Sequence, residues 1–448
     1  MSKSLGVVGL VTARWWPSVG GIETHARQLA RWLHARGIRV EVLCLDDDPL
    51  QSPFDARDFD DDGVHITRVA YRYHDHETFA DLASHMSLEG VAKAWALESQ
   101  LELIHIHHLS GWGHGLVVAL AGHAPIVLTL HDYWTVCARG QLWNASNERC
   151  AGPSTERCTP CLTSTWPHLS VDGKEEPRFA DDAESVAALI AGSAAAFERA
   201  EVLLAPSEPA RRVLVNAGVP AERLSVFSLG VDCESLALEV ERLRLDQPSR
   251  SERRIGVLGA VQPTKGVLEL AQAVLECAVE DLVLRVHGPV APFPGDSSYA
   301  DQLQELASKH PSIQLCGPYD LAELPAVLAS LDVVAAPAQW EEGFGLSVRE
   351  ASVVGLPVLV SDAGGLPELV ERDGAVGVVA RRAEPDSLQE ALRWLVSTDS
   401  FGVVPHSLRP ALTSVDEMAL ELMEIYLDVL EAQSSQASSS ADADAPQE

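Results

Sequence analysis

The sequence predicts an α/β protein built from two Rossmann-like domains that face a central cleft. Short apolar runs alternate with amphipathic helical stretches, which is typical of parallel sheets wrapped by helices. The 448 residues exceed the size of one domain. A charged and polar stretch over about 241–254 divides the pattern into two series, and no sequence repeat relates them.

The first series opens with an apolar strand at 5–11. A helix follows in which Ile22, Ala26, Leu29 and Leu33 recur at helical spacing, and Gly37 ends it. Further strands are predicted at 40–45, 66–69, 103–107, 126–131, 202–205 and 224–229, and a helix over about 182–200. The second series has strands at 255–258, 282–287, 312–316, 332–336, 357–361 and 376–379, and a last helix over about 415–430.

These elements predict an N-terminal domain over 1–232, a linker over 233–254 and a C-terminal domain over 255–414. We expect the helix at 415–432 to return to the N-terminal domain. The tail 433–448 is rich in Ser, Ala and Asp, has little to bury and is predicted to be disordered. Because ligands of parallel sheets bind outside the carboxyl ends of the strands, residues directly after each strand are the functional candidates.

The net charge is −32, from 65 acidic and 33 basic side chains. This balance argues against a nucleic-acid partner, because phosphates are neutralised by Lys and Arg. No apolar run approaches the roughly 20 residues of a membrane-spanning helix. The apolar N-terminal segment reaches Arg14 without a cleavage-like site. We therefore expect a cytoplasmic protein with no transmembrane segment, and peripheral contact with the inner face of the membrane stays open.

The most informative segment follows the predicted strand at 332–336 and opens a helix. Glu342 and Glu350 lie eight positions apart, and Gly343 and Gly345 follow the first of them closely. The glycines let the backbone approach a ligand, and amides at a helix start favour an anion. Eight residues make about two helical turns, so the two carboxylates can reach different parts of one ligand.

This segment resembles the donor-binding half of glycosyltransferase family 4. The motif is Glu342-Gly343-Phe344-Gly345-Leu346 with Glu350, followed by the stretches 355–358 and 361–368. The resemblance covers about 5–430. Members of that family are retaining enzymes of the GT-B fold. It implies transfer of a sugar from a UDP- or GDP-linked donor to a hydroxyl of a glycan or lipid-linked acceptor, in polysaccharide or glycoconjugate synthesis.

The loop 259–266 carries the resemblance further. It is similar to the family loop that holds the donor diphosphate, with Gly259 at its start and Lys265 as a point charge for the phosphates. Ala260 stands where the family commonly has Arg, so one cationic contact is missing.

Two N-terminal segments also resemble the family. Gly20 and Gly21 match its Gly-Gly loop after the first strand, and His131 ends a strand where the family commonly places a His near the transferred sugar. On the preceding strand, His105 and His107 share one face because side chains alternate along a strand. They are candidates for a metal site or, more simply, for structural or acceptor-side histidines.

The resemblance implies roles for these residues. Glu350 would bind the ribose, Lys265 the diphosphate and Glu342 the donor sugar, while the leaving phosphate takes the acceptor proton. Catalysis then requires no cofactor. The donor would also be approached by Gly20, Gly21, Gly259, Gly343, Phe344, Gly345 and Leu346. The alternatives are a catalytically silent GT-B protein that acts as a binding partner in glycan assembly, and an epimerase of the same fold, which the Glu342–Glu350 motif disfavours.

Four of the eight cysteines cluster within 25 residues: Cys137, Cys150, Cys158 and Cys161. They belong to an insertion over about 133–180, and a similar Cys-bearing insertion occurs in some bacterial members of the family. In a reducing cytoplasm such a cluster predicts a structural zinc ion, held by four thiolates. Free thiols or a disulfide are the alternatives, since the spacing matches no standard zinc finger.

Overall fold

The computed structural model describes residues 5–17, 20–72, 76–172, 174, 178–247, 250–277, 279, 281–290, 296–384, 386–398 and 400–443, with side chains up to 435. It confirms the predicted fold class, two α/β domains each built on a parallel sheet. Two residues of the predicted Gly-Gly loop, 18 and 19, and the last residues of the predicted tail, 444–448, lie outside the described residues.

The N-terminal domain contains an eight-stranded sheet in the order β3-β4-β2-β1-β5-β6-β7-β8. Its strands are β1 (Val7–Val11), β2 (Arg39–Asp46), β3 (Ala56–Asp61), β4 (Val64–Ala70), β5 (Leu103–Ile106), β6 (Ile126–Thr129), β7 (Val202–Ala205) and β8 (Leu224–Val226). Its helices are α1 (Gly21–His34), α2 (Met86–Ser99), α3 (Gly115–Leu120), α4 (Thr155–Thr165), α5 (Asp182–Arg199) and α6 (Glu208–Asn216). The edge strand β3 pairs antiparallel with β4, and the other neighbours are parallel.

The C-terminal domain contains a six-stranded parallel sheet in the order β11-β10-β9-β12-β13-β14. Its strands are β9 (Arg253–Leu258), β10 (Leu282–His287), β11 (Ile313–Gly317), β12 (Val333–Ala336), β13 (Val358–Ser361) and β14 (Gly377–Ala380). The helices are α7 (Glu234–Leu245), α8 (Val267–Glu276), α9 (Ser298–Lys309), α10 (Leu324–Ala329), α11 (Leu346–Val353), α12 (Leu366–Glu371), α13 (Ser387–Ser397) and α14 (Val415–Ala443).

The predicted linker over 233–254 differs from the structure. Helix α7 fills most of it, and β9 already begins at Arg253. Leu236 and Val240 of α7 are buried in the same apolar cluster as Leu324 and Leu328 of α10. The segment looks like a linker because its second part, from Glu241, is dominated by charged and polar residues, whereas the apolar residues that bury α7 lie mainly before that point.

The C-terminal helix α14 returns to the N-terminal domain and packs on α1. Trp32 of α1 donates from Nε1 to Asp416, with 2.5 Å between the atoms. The helix continues to Ala443, although the sequence predicts disorder from Gln433. Gln433 donates to Glu201 at 3.0 Å, and the hydroxyls of Ser434 and Ser435 donate to the carbonyls of Leu430 and Glu431 one turn earlier, so the helix accommodates the first polar residues of the tail.

Candidate active site

A cavity of about 580 Å³ lies between the two domains. Pro17, Gly20, Gly21 and Thr24 form its N-terminal wall. The opposite wall consists of residues that follow β9, β10, β11 and β12: Gly259, Ala260, Lys265, Gly288, Pro289, Pro318, Tyr319, Pro337, Glu342, Gly345, Leu346, Ser347 and Glu350. The strand order reverses between β9 and β12, so the cavity occupies the position where open α/β sheets bind ligands.

The structure brings Lys265 and Glu342 together. Lys265 Nζ lies 2.6 Å from a carboxylate oxygen of Glu342, and Trp340 Nε1 donates to the same oxygen at 3.2 Å. Among the described lining residues, Lys265 is the only one with a cationic side chain. Ala260 lines the cavity as well, so the cation that the family commonly has there is missing from the wall itself.

Gly266 explains why the two loops meet. Its φ of +67° is a left-handed conformation that glycine adopts without strain, and a Cβ there would lie 2.0 Å from the carbonyl oxygen of Pro337. Close by, the amide of Gln339 donates to the carbonyl of Thr264 at 2.8 Å. The Lys265 loop is thereby fixed against the loop that carries Glu342.

Two of the residues predicted to bind the donor, Gly343 and Phe344, are not part of the cavity wall. A Cβ on Gly343 would lie 2.7 Å from the carbonyl oxygen of His131, so the loop abuts the N-terminal domain there. Phe344 is buried in the apolar cluster that includes α14. Core packing removes the Phe344 ring from water, so donor binding by this residue stays a prediction that concerns its backbone.

Glu350 lies on the cavity wall in α11 and is partly buried. Loss of water around its carboxyl, together with the charge of Asp232, raises its pKa to about 8. Its neighbour Arg349 points elsewhere: it is buried, stacks 3.9 Å from the centroid of Phe344 and donates to the carbonyl of Gly365 at 3.3 Å. Arg349 therefore fixes the loop between the two predicted donor carboxylates.

His131 follows β6 and lies at the domain interface, outside the residues that line the cavity. Its Nε2 lies 3.3 Å from Nδ1 of His107, and the ring of His25 packs edge-on against both. Burial lowers the pKa of His131 and of His107 well below the usual value, so both imidazoles are neutral. Asp132 pairs with His108 at 2.9 Å.

The three rings of His25, His107 and His131 offer nitrogens within 4.8 Å of one another, which is the only such group of potential metal ligands among the described residues. Metal-bound histidines normally donate their second ring nitrogen to a carboxylate or carbonyl. None of the six ring nitrogens has such a partner among the described residues: Nδ1 of His107 and Nε2 of His131 face each other, and the other four make no hydrogen bond. We therefore interpret the group as packed neutral imidazoles.

The four clustered cysteines line a second cavity, of about 300 Å³, inside the insertion. All four are free thiols. Thiolates that share a zinc ion lie about 3.8 Å apart, given the usual zinc–sulfur distance. The four sulfurs are not among the groups that lie close enough to share a metal ion in the described residues. The structure thus gathers the thiols around one cavity but not at ligand distance.

Two family models match the chain. Residues 19–235 match the model described as Glycosyltransferase Family 4, and residues 252–398 match Glycosyl transferases group 1. The chain is a glycosyltransferase, and its N-terminal part belongs to family 4. The first match contains seven of the eight strands of the N-terminal sheet and the second contains all six strands of the C-terminal sheet, so the enzyme has the two-domain arrangement of a GT-B glycosyltransferase.

Curated relatives are named glycosyltransferases. This enzyme is 26% identical over 407 residues to a D-inositol 3-phosphate glycosyltransferase of a Nocardioides species, covering 85% of this chain and 79% of the relative. An MMP alpha-(1->4)-mannosyltransferase of Mycolicibacterium hassiacum is 32% identical over 199 residues, which cover 44% of this chain and 46% of that protein.

Solved structures share the fold. Anabaena HepE in complex with UDP and glucose has a TM-score of 0.61 and 18% identity, with 94% of this chain and 99% of that one covered. Sucrose-phosphate synthase from Thermosynechococcus elongatus has a TM-score of 0.63 and 17% identity, with 98% of this chain and 100% of that one covered. In the described part of this glycosyltransferase, no helix is long and apolar enough to cross a bilayer.

Sequence reasoning missed several residues around the site of this glycosyltransferase. Tyr319 lines the cavity, and burial together with the charge of Glu350 raises the pKa of its phenol. His25 packs on His131 from α1, and its only sequence signal is its position one turn after the Gly-Gly loop. Ser207 donates to the carbonyl of Gly343 at 2.7 Å across the domain boundary, a contact that only the tertiary structure reveals.

Proposed function

We propose that this enzyme is a retaining glycosyltransferase that moves a sugar from a nucleoside diphosphate to a hydroxyl acceptor in polysaccharide or glycoconjugate synthesis. The observation that carries the proposal is the interdomain cavity, in which Lys265, Glu342 and Glu350 share one wall. The names of the relatives support sugar transfer, and neighbours of the same fold were solved with UDP or UDP-glucose.

Each lining residue has a task that its chemistry allows. Lys265 offers a point charge to the diphosphate. When the donor binds, its diphosphate competes with the Glu342 carboxylate for the Lys265 ammonium group. Glu342 is then free to accept hydrogen bonds from the sugar, and Glu350 can do the same for the ribose. Gly20 and Gly21, on the opposite wall, allow the phosphates to approach the backbone closely.

The transfer step itself needs no protein base. The acceptor oxygen bonds to the anomeric carbon as the bond from that carbon to the phosphate oxygen breaks, and the acceptor proton passes to the departing phosphate on the same face. The protein contributes positioning and charge stabilisation. We expect a glycan or lipid-linked acceptor and a reaction in the cytoplasm, where a lipid-linked acceptor is reached at the inner face of the membrane.

A screen of nucleotide sugars by thermal shift tests the proposal. A ligand that binds only the folded state raises the melting temperature. We expect a UDP- or GDP-sugar to raise it, and inorganic phosphate at the same concentration to leave it nearly unchanged. If no nucleoside diphosphate sugar shifts the transition, the proposed donor site is wrong.

Glu350 should govern affinity for the nucleotide. Glu350→Ala is expected to weaken binding of the nucleoside diphosphate about tenfold or more, because hydrogen bonds to a charged group contribute about 1.5–3 kcal/mol. In the free protein the pKa of this carboxyl is raised to about 8. Ribose hydroxyls donate hydrogen bonds to the ionised carboxylate, so nucleotide binding lowers this pKa. Binding therefore releases a proton, and affinity should rise as the pH increases from about 6 to 8.

Isothermal titration across this pH range measures both effects. Glu350→Gln serves as the reference, because the glutamine side chain does not ionise. The pH dependence of nucleotide affinity in this variant therefore reflects only the titration of the nucleotide phosphates. Equal pH profiles for the wild type and Glu350→Gln would show that Glu350 does not change its protonation on binding.

We further propose a structural zinc ion in the insertion. Cys137, Cys150, Cys158 and Cys161 would hold the ion as thiolates. Because burial raises the pKa of the Cys137 thiol to about 11, binding would release a proton from it, and the sulfurs would have to lie closer together than they do here. Four thiolates leave no open position for substrate, so the ion would stabilise the insertion without taking part in the reaction.

Elemental analysis of protein purified without added metal should find about one zinc per chain, as expected for one four-thiolate site. Cys158→Ser should lower that content, whereas Cys316→Ser is a matched control because Cys316 is an exposed free thiol outside the insertion. A metal-free preparation with full activity and an unchanged melting temperature would disprove the zinc site.

A further inference from the structure

The Cys-bearing insertion contacts the C-terminal domain beside both donor loops. Arg149 forms an ion pair with Glu341, the residue directly before Glu342. Gln141 donates to Gln262 in the Lys265 loop at 3.4 Å. The described part of the insertion thus contacts each of the two loops that carry the predicted donor ligands, although it belongs to the other domain.

The insertion holds Arg149 on a short hairpin. Trp143 and Arg149 form an antiparallel bridge, and the side chain of Asn144 accepts hydrogen bonds from the amides of Ser146 and Glu148, each at 2.9 Å. Such local hydrogen bonds fix the turn between the two paired residues. The guanidinium of Arg149 is therefore presented to the C-terminal domain by a defined backbone and not by a free loop.

Glu341 transmits this contact to the site. Its carboxylate also accepts from the amide of Gly364 at 2.7 Å and from Arg382 at 3.2 Å. Next to it, Trp340 packs edge-on against Tyr133 of the insertion, with 5.9 Å between ring centroids, and donates to Glu342. The two residues before Glu342 are therefore both held by the insertion.

We propose that the insertion is a positioning element for the donor site, with Arg149 as its positioning residue on Glu341. This rests on the proposed function, because it assigns the insertion a task in the same site. By holding Glu341, Arg149 orients the Glu342 carboxylate for the sugar and keeps the two domains closed over the donor. Arg149 itself touches no reacting atom.

Arg149→Gln tests the proposal with two readouts. The side chain of Arg149 is 55% exposed, so solvent weakens the pair, and we expect kcat to fall about three- to fivefold, with the affinity for free nucleoside diphosphate unchanged. Amide hydrogen exchange of the segment 340–345 should become faster, because the loop loses one of its anchors. Arg149→Lys keeps the charge and should restore most of both properties.

Arg178→Gln is the matched control. Arg178 lies at the other end of the insertion and has an exposed side chain. Its guanidinium pairs with the carboxylate of Asp81 in the N-terminal domain, with 3.5 Å between the nitrogen and the oxygen. It should leave kcat and the exchange of 340–345 at wild-type values. If Arg149→Gln also leaves both at wild-type values, or if Arg178→Gln lowers kcat and speeds the exchange of 340–345 as much as Arg149→Gln does, the positioning role is wrong.

The exchange measurement needs no substrate. If exchange is faster in Arg149→Gln but the wild type transfers no sugar, the proposed function is overturned, whereas the coupling of Arg149 to the segment 340–345 stands. An active wild type with unchanged exchange and kcat in Arg149→Gln would overturn only the coupling.

Discussion

Glu342→Gln is expected to lower the rate of sugar transfer roughly a hundredfold, the size of effect found when one charge-stabilising contact in an active site is removed. The carboxylate lies in the cavity wall, 2.6 Å from Lys265, where it can meet the sugar once the diphosphate has taken the lysine. Affinity for free nucleoside diphosphate should hardly change, because the proposed contact of Glu342 is to the sugar.

Glu305→Gln provides the control for this variant. Glu305 pairs with Lys309 on the exposed surface of α9 at the same distance of 2.6 Å, so its loss removes an equivalent ion pair outside the cleft. Transfer by Glu305→Gln should equal that of the wild type. A loss of nucleotide affinity in Glu342→Gln as large as that in Glu350→Ala would contradict the division of roles between the two carboxylates.

His131→Ala should lower kcat by at least about tenfold, the low end for losing one positioned catalytic contact. The backbone carbonyl of His131 lies at the domain interface beside Gly343, and burial keeps the imidazole ring neutral. Its Nδ1 is buried and has no hydrogen-bond partner among the described residues, and we expect this nitrogen to bind a sugar hydroxyl when the donor reaches the domain interface. The dissociation constant of the nucleoside diphosphate should hardly move.

Two variants separate this effect from loss of packing. His131→Gln keeps a polar group and should retain more activity than the alanine variant at a similar melting temperature. His123→Ala alters an exposed histidine of the same domain and should behave like the wild type. If His131→Ala transfers sugar at the wild-type rate, His131 is structural and the N-terminal side of the proposed site loses its main residue.

The parts of the fold that could be predicted from sequence are those governed by hydrophobic pattern. Buried strands such as β7 and β13 appear as apolar runs. The meeting of Lys265 and Glu342 could be anticipated as well, because both follow parallel strands whose carboxyl ends share one edge of the sheet.

Other features depend on contacts that the sequence does not encode locally. Helix α7 leaves Leu238 and Leu245 exposed, and only the tertiary structure shows that α10 covers Leu236 and Val240. Phe344 lies between two glycines of a ligand-binding motif, yet its apolar ring is buried in the core. Cysteine spacing indicates a cluster but gives no distances between sulfurs. The pair of Arg149 and Glu341 joins residues of different domains, and neither position has a distinguishing pattern.

The most direct test of the central claim is the release of nucleoside diphosphate from UDP- and GDP-sugars by the purified protein. The interdomain cavity with Lys265, Glu342 and Glu350 predicts that the wild type releases nucleoside diphosphate from at least one donor, and that Glu342→Gln does so roughly a hundredfold more slowly. Release at equal rates by the two proteins, or no release by the wild type from any donor with an acceptor present, would contradict the assignment of this cavity as the site of sugar transfer.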